Sequence, residues 1–409
     1  MRKPIRRLGM ALGVIVLVLA GFGVFVAMAP LPSYETRPPA LKVEVTPERV
    51  ARGKRHVELL CAGCHFDSGT GGLTGKRMVD VPTQFGWAYS KNITADPAKG
   101  IGAWTDGEIA FLLRTGIARD GRYTPPWMVK LPNAADQDVE DIIAFLRSDD
   151  PLVRAQTVDD REGEPSFLTR LLCRVAFKPF AYPQQPIVAP PATDQVAFGR
   201  YLVTARLGCF ACHSADFKTN DELNPERSAG FLGGGNAMPD VAAKLVYTSN
   251  LTPDPDTGIG RWTYAQFRRA LVEGIGIENE PLRYPMVPHR ILEEHEVAAI
   301  FAYLRAVPAI RNAVPSPDPY DVPAGDRGKQ VFYKYKCNSC HGDTGLGQYD
   351  LRQGPARYPT DDALIAYVKH PERAKPGIAM PTWDGVIQED EYTPLVGYVR
   401  TLASSASGR

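Results

Sequence analysis

The chain has 409 residues, 44% of them hydrophobic and 23% charged, with 47 basic residues against 46 acidic. That length has room for two or three domains, each able to bury a core. A near-neutral balance without a basic stripe excludes a nucleic-acid-binding protein.

Arg2, Lys3, Arg6 and Arg7 precede residues 8–29, a run that carries no charge. A bilayer core needs about 20 apolar residues, whereas the core of a signal peptide is about 7–15 long. Ala27-Met28-Ala29 has the look of a cleavage site, but Pro30 directly after it disfavours cleavage. Residues 1–29 are therefore expected to remain as an anchor in a bacterial inner membrane. The basic N-terminus then lies in the cytoplasm and everything beyond residue 30 in the periplasm. Without its four leading basic residues the exported part is slightly acidic.

One pentapeptide pattern then occurs three times: Cys61-Ala-Gly-Cys64-His65, Cys209-Phe-Ala-Cys212-His213 and Cys337-Asn-Ser-Cys340-His341. Cys-x-x-Cys-His is the attachment signature of c-type haem. Two cysteines three apart share one side of a helical turn, so both thiols reach the vinyl groups of one porphyrin. The histidine that follows is swung under the iron as an axial ligand. A thioredoxin-like pair or half a zinc site would need no histidine at that position, let alone three times. Three covalently bound c-type haems are expected. The remaining Cys173 reads as buried and inert, since no partner is left for it within the chain.

The first two haem segments are copies of one another. Asn92-Ile-Thr94-Ala-Asp96-Pro97 through Trp104-Thr105 matches Asn250-Leu-Thr252-Pro-Asp254-Pro255 through Trp262-Thr263. The second copy carries extra residues between its haem motif and this loop, near the glycine-rich stretch 230–235. The loop has two readings. Trp104, Asn92 and their counterparts could bond a buried propionate, or the Asn and Asp side chains could simply close a turn. In each copy an amphipathic helix follows, from Thr105 to Gly116 and from Thr263 to Gly274. A closing helix comes after it, from Asp138 to Arg147 and from Glu296 to Arg305.

The third segment is smaller and lacks this loop, but runs from a helix starting at Asp326 to a closing helix around Leu395 and Leu402. Thr46 and Asp194 read as caps of the lead-in helices. Gly53, Gly199 and Gly328 lie two to three turns ahead of the cysteines, where a small residue lets the closing helix cross closely.

The expected organisation is an anchor at 1–29, a linker at 30–45 and haem domains at 46–150, 193–306 and 324–409. Linkers at 151–192 and a Pro-rich 307–323 separate these domains. The longer one contains a basic amphipathic helix with Arg170, Arg174 and Lys178 along one side. It can rest on a membrane surface or act as a brace between domains, and the brace is preferred.

Each iron needs a sixth ligand, and Met128, Met286 and Met380 fall one per haem motif, each with a proline within two residues. Proline stiffens the loop that presents the sulfur. Met78 and Met238 are the competing pair. Of the free histidines, His289 alone is a credible alternative ligand. His56, His295 and His370 are expected on helix surfaces.

With these motifs the chain resembles the multihaem, trihaem-type cytochrome c subunits of bacterial membrane-bound alcohol, gluconate and related dehydrogenases. The likeness spans residues 46–405. It implies an all-α fold of three tandem class I-like cytochrome c domains behind the N-terminal helix, with Met128, Met286 and Met380 as axial ligands. It also implies a subunit that takes electrons from a dehydrogenase partner and passes them to quinone or another cytochrome. The expected function is therefore a membrane-tethered electron relay rather than catalysis. The alternative is a haem enzyme, of peroxidase or thiosulfate dehydrogenase type, with one open haem.

Overall fold

The computed structural model describes residues 2–159, 161–241, 244–315, 322–352, 354–374 and 377–407. Part of the Pro-rich linker at 307–323 thus lies outside the described residues.

The first helix, α1 (Arg2–Met28), contains the one segment among the described residues that is long and apolar enough to cross a membrane, Met10–Met28. Its apolar side chains are almost all exposed, so the helix is not part of a core. The next long helix is α2 (Pro47–Leu60), capped by the Thr46 side chain, and it leads into α3 (Ala62–His65). Then come α4 (Asp106–Thr115), α5 (Asp136–Leu146) and the linker helix α6 (Phe167–Val175).

The second copy repeats this order. It comprises α7 (Gln195–Tyr201), capped by Asp194, then α8 (Cys209–His213), α9 (Tyr264–Arg268) and α10 (Glu294–Ala306). Its lead-in and middle helices each end in a π-helical segment, Leu202–Arg206 and Arg269–Glu273. The first of these widens the spacing from Gly199 to Cys209 relative to that from Gly53 to Cys61.

The last part holds α11 (Arg327–Lys334), capped by Asp326, and α12 (Asn338–His341). It continues through the short α13 (Gly354–Arg357), α14 (Asp361–Lys369) and the short α15 (Pro371–Ala374) to α16 (Glu389–Ser407). The strands are brief: β1 (Gly86–Trp87) pairs antiparallel with β2 (Glu164–Pro165), and β3 (Ala237–Pro239) with β4 (Leu245–Tyr247).

Among the described residues three apolar clusters form, each where a lead-in helix crosses a closing helix: α2 with α5, α7 with α10, and α11 with α16. The glycines set these crossings. A Cβ on Gly53 would lie 1.8 Å from the Asp141 carbonyl oxygen, one on Gly199 1.9 Å from that of Ala299, and one on Gly328 2.0 Å from that of Pro394. An aromatic residue from the closing helix, Phe145, Tyr303 or Tyr398, packs beside each glycine.

The middle helices end as their sequences dictate. Thr105 with Glu108 and Thr263 with Gln266 form capping boxes, and Gly116 and Gly274 close the C-termini in the left-handed region.

The basic helix α6 braces the end of α1. Arg170 donates to the carbonyls of Ala27 (3.1 Å) and Ala29 (3.0 Å), Arg174 donates to that of Pro30, and its guanidinium stands 5.3 Å from the Phe25 ring centroid. Cys173, also on α6, is fully buried, and burial pushes its thiol up to about 11.

Candidate haem sites

Each attachment motif ends in a histidine held in the same manner. The Nδ1 of His65 lies 2.7 Å from the Lys91 carbonyl oxygen, that of His213 2.8 Å from Ser249, and that of His341 2.6 Å from Tyr349. A carbonyl can only accept, so Nδ1 carries the proton and Nε2 keeps its lone pair for a metal. Desolvation lowers all three imidazole pKa values below the ordinary histidine value, against the raising effect of those carbonyls. Neutral imidazole is the form that ligates iron.

The cysteines line apolar surroundings. Burial pushes the leading thiols, Cys61, Cys209 and Cys337, up to about 12. The second thiols, Cys64, Cys212 and Cys340, are pushed to about 11. Burial thus favours the uncharged form of all six sulfurs, as a thioether would be. Among the described residues no cluster of three His, Cys, Asp or Glu side chains could hold a metal ion by itself.

In the last segment Cys337, Cys340, His341 and Met380 line one cavity, walled by Phe332, Trp383 and other apolar residues. Its apolar lining fits a porphyrin, and it brings a histidine and a methionine to one chamber. In the second repeat Met286 and Cys209 pack against the same apolar cluster. In the first repeat Cys61 joins the core but Met128, half-buried, does not.

Met128 and Met286 nevertheless sit on equivalent loops. The Met128 N–H donates to Pro125 (3.1 Å) and that of Met286 to Arg283 (2.9 Å). Three residues on, Leu131 and His289 dock on the middle helix through bonds to Leu113 (2.7 Å) and Leu271 (2.8 Å). Met78 and Met238 lie instead in matching hairpins, Met78 bonded to Ala88 and Met238 paired with Val246.

The Asn-x-Thr-x-Asp loops have a structural explanation. Asn92 Oδ1 accepts from the Thr94 N–H (2.9 Å) while its Nδ2 donates to Gln156 (2.9 Å). Asn250 does the same with Thr252 (2.9 Å) and Ile310 (2.7 Å). Asp96 and Asp254 accept backbone N–H groups of their own turns. Their amides are therefore committed to closing the loop.

One expectation fails. His56 is not on a helix surface but only 6% exposed, with Nε2 3.4 Å from Asp138. It lies where the two repeats meet, a contact that the periodicity of α2 alone does not reveal. There Arg206 pairs with Glu296 and lies 3.9 Å from Asp138, and Arg55 bonds Glu296 (2.6 Å) and Glu293. Tyr201 donates to Asp138 at 2.5 Å. His295 is half-exposed and stacks on Phe198, and His370 lies beside Glu372 (3.1 Å).

Comparison with known proteins places residues 50–149 on the cytochrome c family model and residues 323–399 on the model of cytochrome c oxidase, cbb3-type, subunit III. The chain is 25% identical to the cytochrome c subunit of alcohol dehydrogenase (quinone) from Gluconacetobacter polyoxogenes, over 83% of this chain and 77% of that one. It is 27% identical to the gluconate 2-dehydrogenase cytochrome c subunit of Pantoea cypripedii (83% and 82%). The fructose dehydrogenase cytochrome subunit of Gluconobacter japonicus matches at 26% (71% and 63%). The chain therefore carries helical cytochrome c domains, which hold covalent c-type haem and transfer electrons.

Proposed function

We propose that this chain, with its cytochrome c domains and its kinship to dehydrogenase cytochrome subunits, is a membrane-tethered periplasmic trihaem cytochrome c. It relays electrons from a periplasmic dehydrogenase or a quinone-linked donor to a downstream acceptor. The three domains occupy residues 46–150, 193–306 and 324–409. The observation that carries this reading is the threefold repetition of one geometry: a Cys-x-x-Cys-His turn whose histidine Nδ1 donates to a backbone carbonyl.

Bound haem supplies a one-electron iron couple. Cys61 and Cys64, Cys209 and Cys212, and Cys337 and Cys340 would fix the three groups covalently, while His65, His213 and His341 would offer Nε2 to the iron. Met128, Met286 and Met380 would offer a thioether ligand. A histidine–methionine pair would raise the reduction potential and leave no open site for a substrate, which would favour electron transfer.

One observation favours a second ligand in the middle domain. His289 is half-buried on the loop that carries Met286, and its Nδ1 is shielded from solvent without a well-formed hydrogen bond. Replacing Met286 and His289 singly decides between them.

The tether rests on α1, whose end is held by Arg170 and Arg174 of the neighbouring α6. Partner capture tests the relay: affinity purification of the full chain from native membranes should bring down a dehydrogenase. Recovery of the haem-loaded chain alone, with no electron uptake from any membrane dehydrogenase, contradicts this function.

A further inference from the structure

The order of the motifs along the chain suggests a wire in which the middle haem separates the other two. The contacts between the attachment segments describe a different arrangement. Three links join them, one for each pair.

The first link runs from the methionine loop of the first repeat to the attachment segment of the second. Asn133 Nδ2 donates to the Glu222 carbonyl at 2.7 Å, and Asn220 in turn ties that segment to Ala211, inside the second motif, at 2.7 Å. The second link runs from the methionine loop of the second repeat to the last attachment segment. Pro281 and Leu282 line the cavity of Cys337, Cys340 and His341, and Lys336, next to Cys337, pairs with Glu280 at 2.8 Å.

The third link skips the middle repeat. Gln348 Nε2 donates to the carbonyl oxygen of Gly63, inside the first motif, at 2.9 Å. The next residue, Tyr349, supplies the carbonyl that accepts from His341 Nδ1 at 2.6 Å. Two hydrogen bonds, joined by the covalent path from the Tyr349 carbonyl to the Gln348 amide, therefore link the histidine of the third motif to the first attachment peptide. Lys76 of the first repeat lies across the same junction, 3.5 Å from the Gln348 carbonyl and 5.8 Å from the Tyr349 ring centroid. Tyr284 completes it by donating to Asp80 of the first repeat at 2.6 Å. Gln348 is only 9% and Tyr284 only 5% exposed, so bulk water does not separate the segments.

We propose that the three haem sites form a closed triangle in which the first and third exchange electrons directly across Gln348 and Tyr349. This deepens the trihaem reading and rests on it. The exchange moves one electron, oxidising one iron from ferrous to ferric as it reduces the other, and neither forms a bond nor moves a proton. Charges brought close in a low-dielectric junction also influence one another, so reducing one of these haems disfavours reduction of the other.

The test is a redox titration of the full-length protein followed by NMR. Haem-methyl signals are assigned with the Met128→Ala, Met286→Ala and Met380→Ala variants, and intact mass gives the haem count beforehand. The triangle predicts that reducing the third haem shifts the first haem's titration directly, as it does for the other two pairs. Gln348→Leu should then shift the signals of the first and third haems, leave those of the second in place, and weaken the coupling between the first and third. With three haems counted, a first-to-third coupling absent from the wild-type protein overturns the triangle while leaving the trihaem reading intact. A haem count below three overturns both.

Discussion

Gly53 meets the backbone of Asp141 so closely that a Cβ would stand 1.8 Å from its carbonyl oxygen. Any side chain there must push α2 and α5 apart. The same relationship recurs between Gly199 and Ala299 and between Gly328 and Pro394. Because the obstacle is backbone, no rotamer relieves it. Each Gly→Ala substitution should cost about 3 kcal/mol, the upper end for overpacking. Thermal unfolding of the purified variants checks this, and a loss well below 1 kcal/mol would mean that the helices separate freely.

The junction between the repeats should be acid-labile. Desolvation raises the pKa of Glu296, but Arg206, the Glu293 backbone and Arg55 outweigh it and hold the carboxyl below its ordinary value. Asp138 is likewise held low, burial being outweighed by His56, Arg206 and Tyr201. A carboxyl with a depressed folded pKa contributes stability in full above its unfolded value, about pH 4, and loses it as pH falls through the lower folded value. Stability measured from pH 7 to 2 should therefore drop below about pH 4. The drop should shrink in Glu296→Gln, which also loses about 3–5 kcal/mol at neutral pH by stranding Arg206 in a buried site. An unchanged acid limb in Glu296→Gln rules out this linkage.

The repeat and the haem motifs were legible in the residues because covalent attachment demands one invariant spacing. The capping threonines and the crossing glycines were legible too, since local backbone needs select them. What the sequence withheld is how the modules meet. Gln348, Tyr284, Arg290 and Arg206 belong to no local pattern, and their partners lie far along the chain. His56 was misplaced for the same reason, because a helical period gives a face but not what covers it. The short helix α14 also escaped the sequence reading, for it lies in a segment with no copy elsewhere in the chain.

Arg290 of the second repeat should govern the third haem. Its Nη2 donates to the Met380 carbonyl and to Thr382 Oγ1, both at 2.8 Å, so it clamps the third methionine loop from outside that domain. Arg290→Ala should weaken the thioether–iron absorbance of the third haem and lower its potential, leaving the ligation of the first unchanged. Absorbance and redox titration read this, and a change confined to the second haem contradicts the clamp.

The methionines should act one per haem. Met128→Ala, Met286→Ala and Met380→Ala should each remove about one third of the thioether–iron absorbance at the red edge of the oxidised spectrum. Met78→Ala and Met238→Ala should remove none. If His289→Ala disturbs the second haem's ligation and Met286→Ala does not, histidine is the ligand there.

Purified full-length protein should retain residues before Pro30. N-terminal sequencing that begins at residue 30 or just beyond would replace the anchor by a cleaved signal.

The relay itself is tested most directly by low-temperature EPR of the oxidised protein, with intact mass measured on the same sample and carbon monoxide binding after reduction. The predicted result is three covalent haems, all low-spin with both axial positions filled, and almost no carbon monoxide uptake. A high-spin haem that binds carbon monoxide readily would contradict the account and point to an open catalytic site.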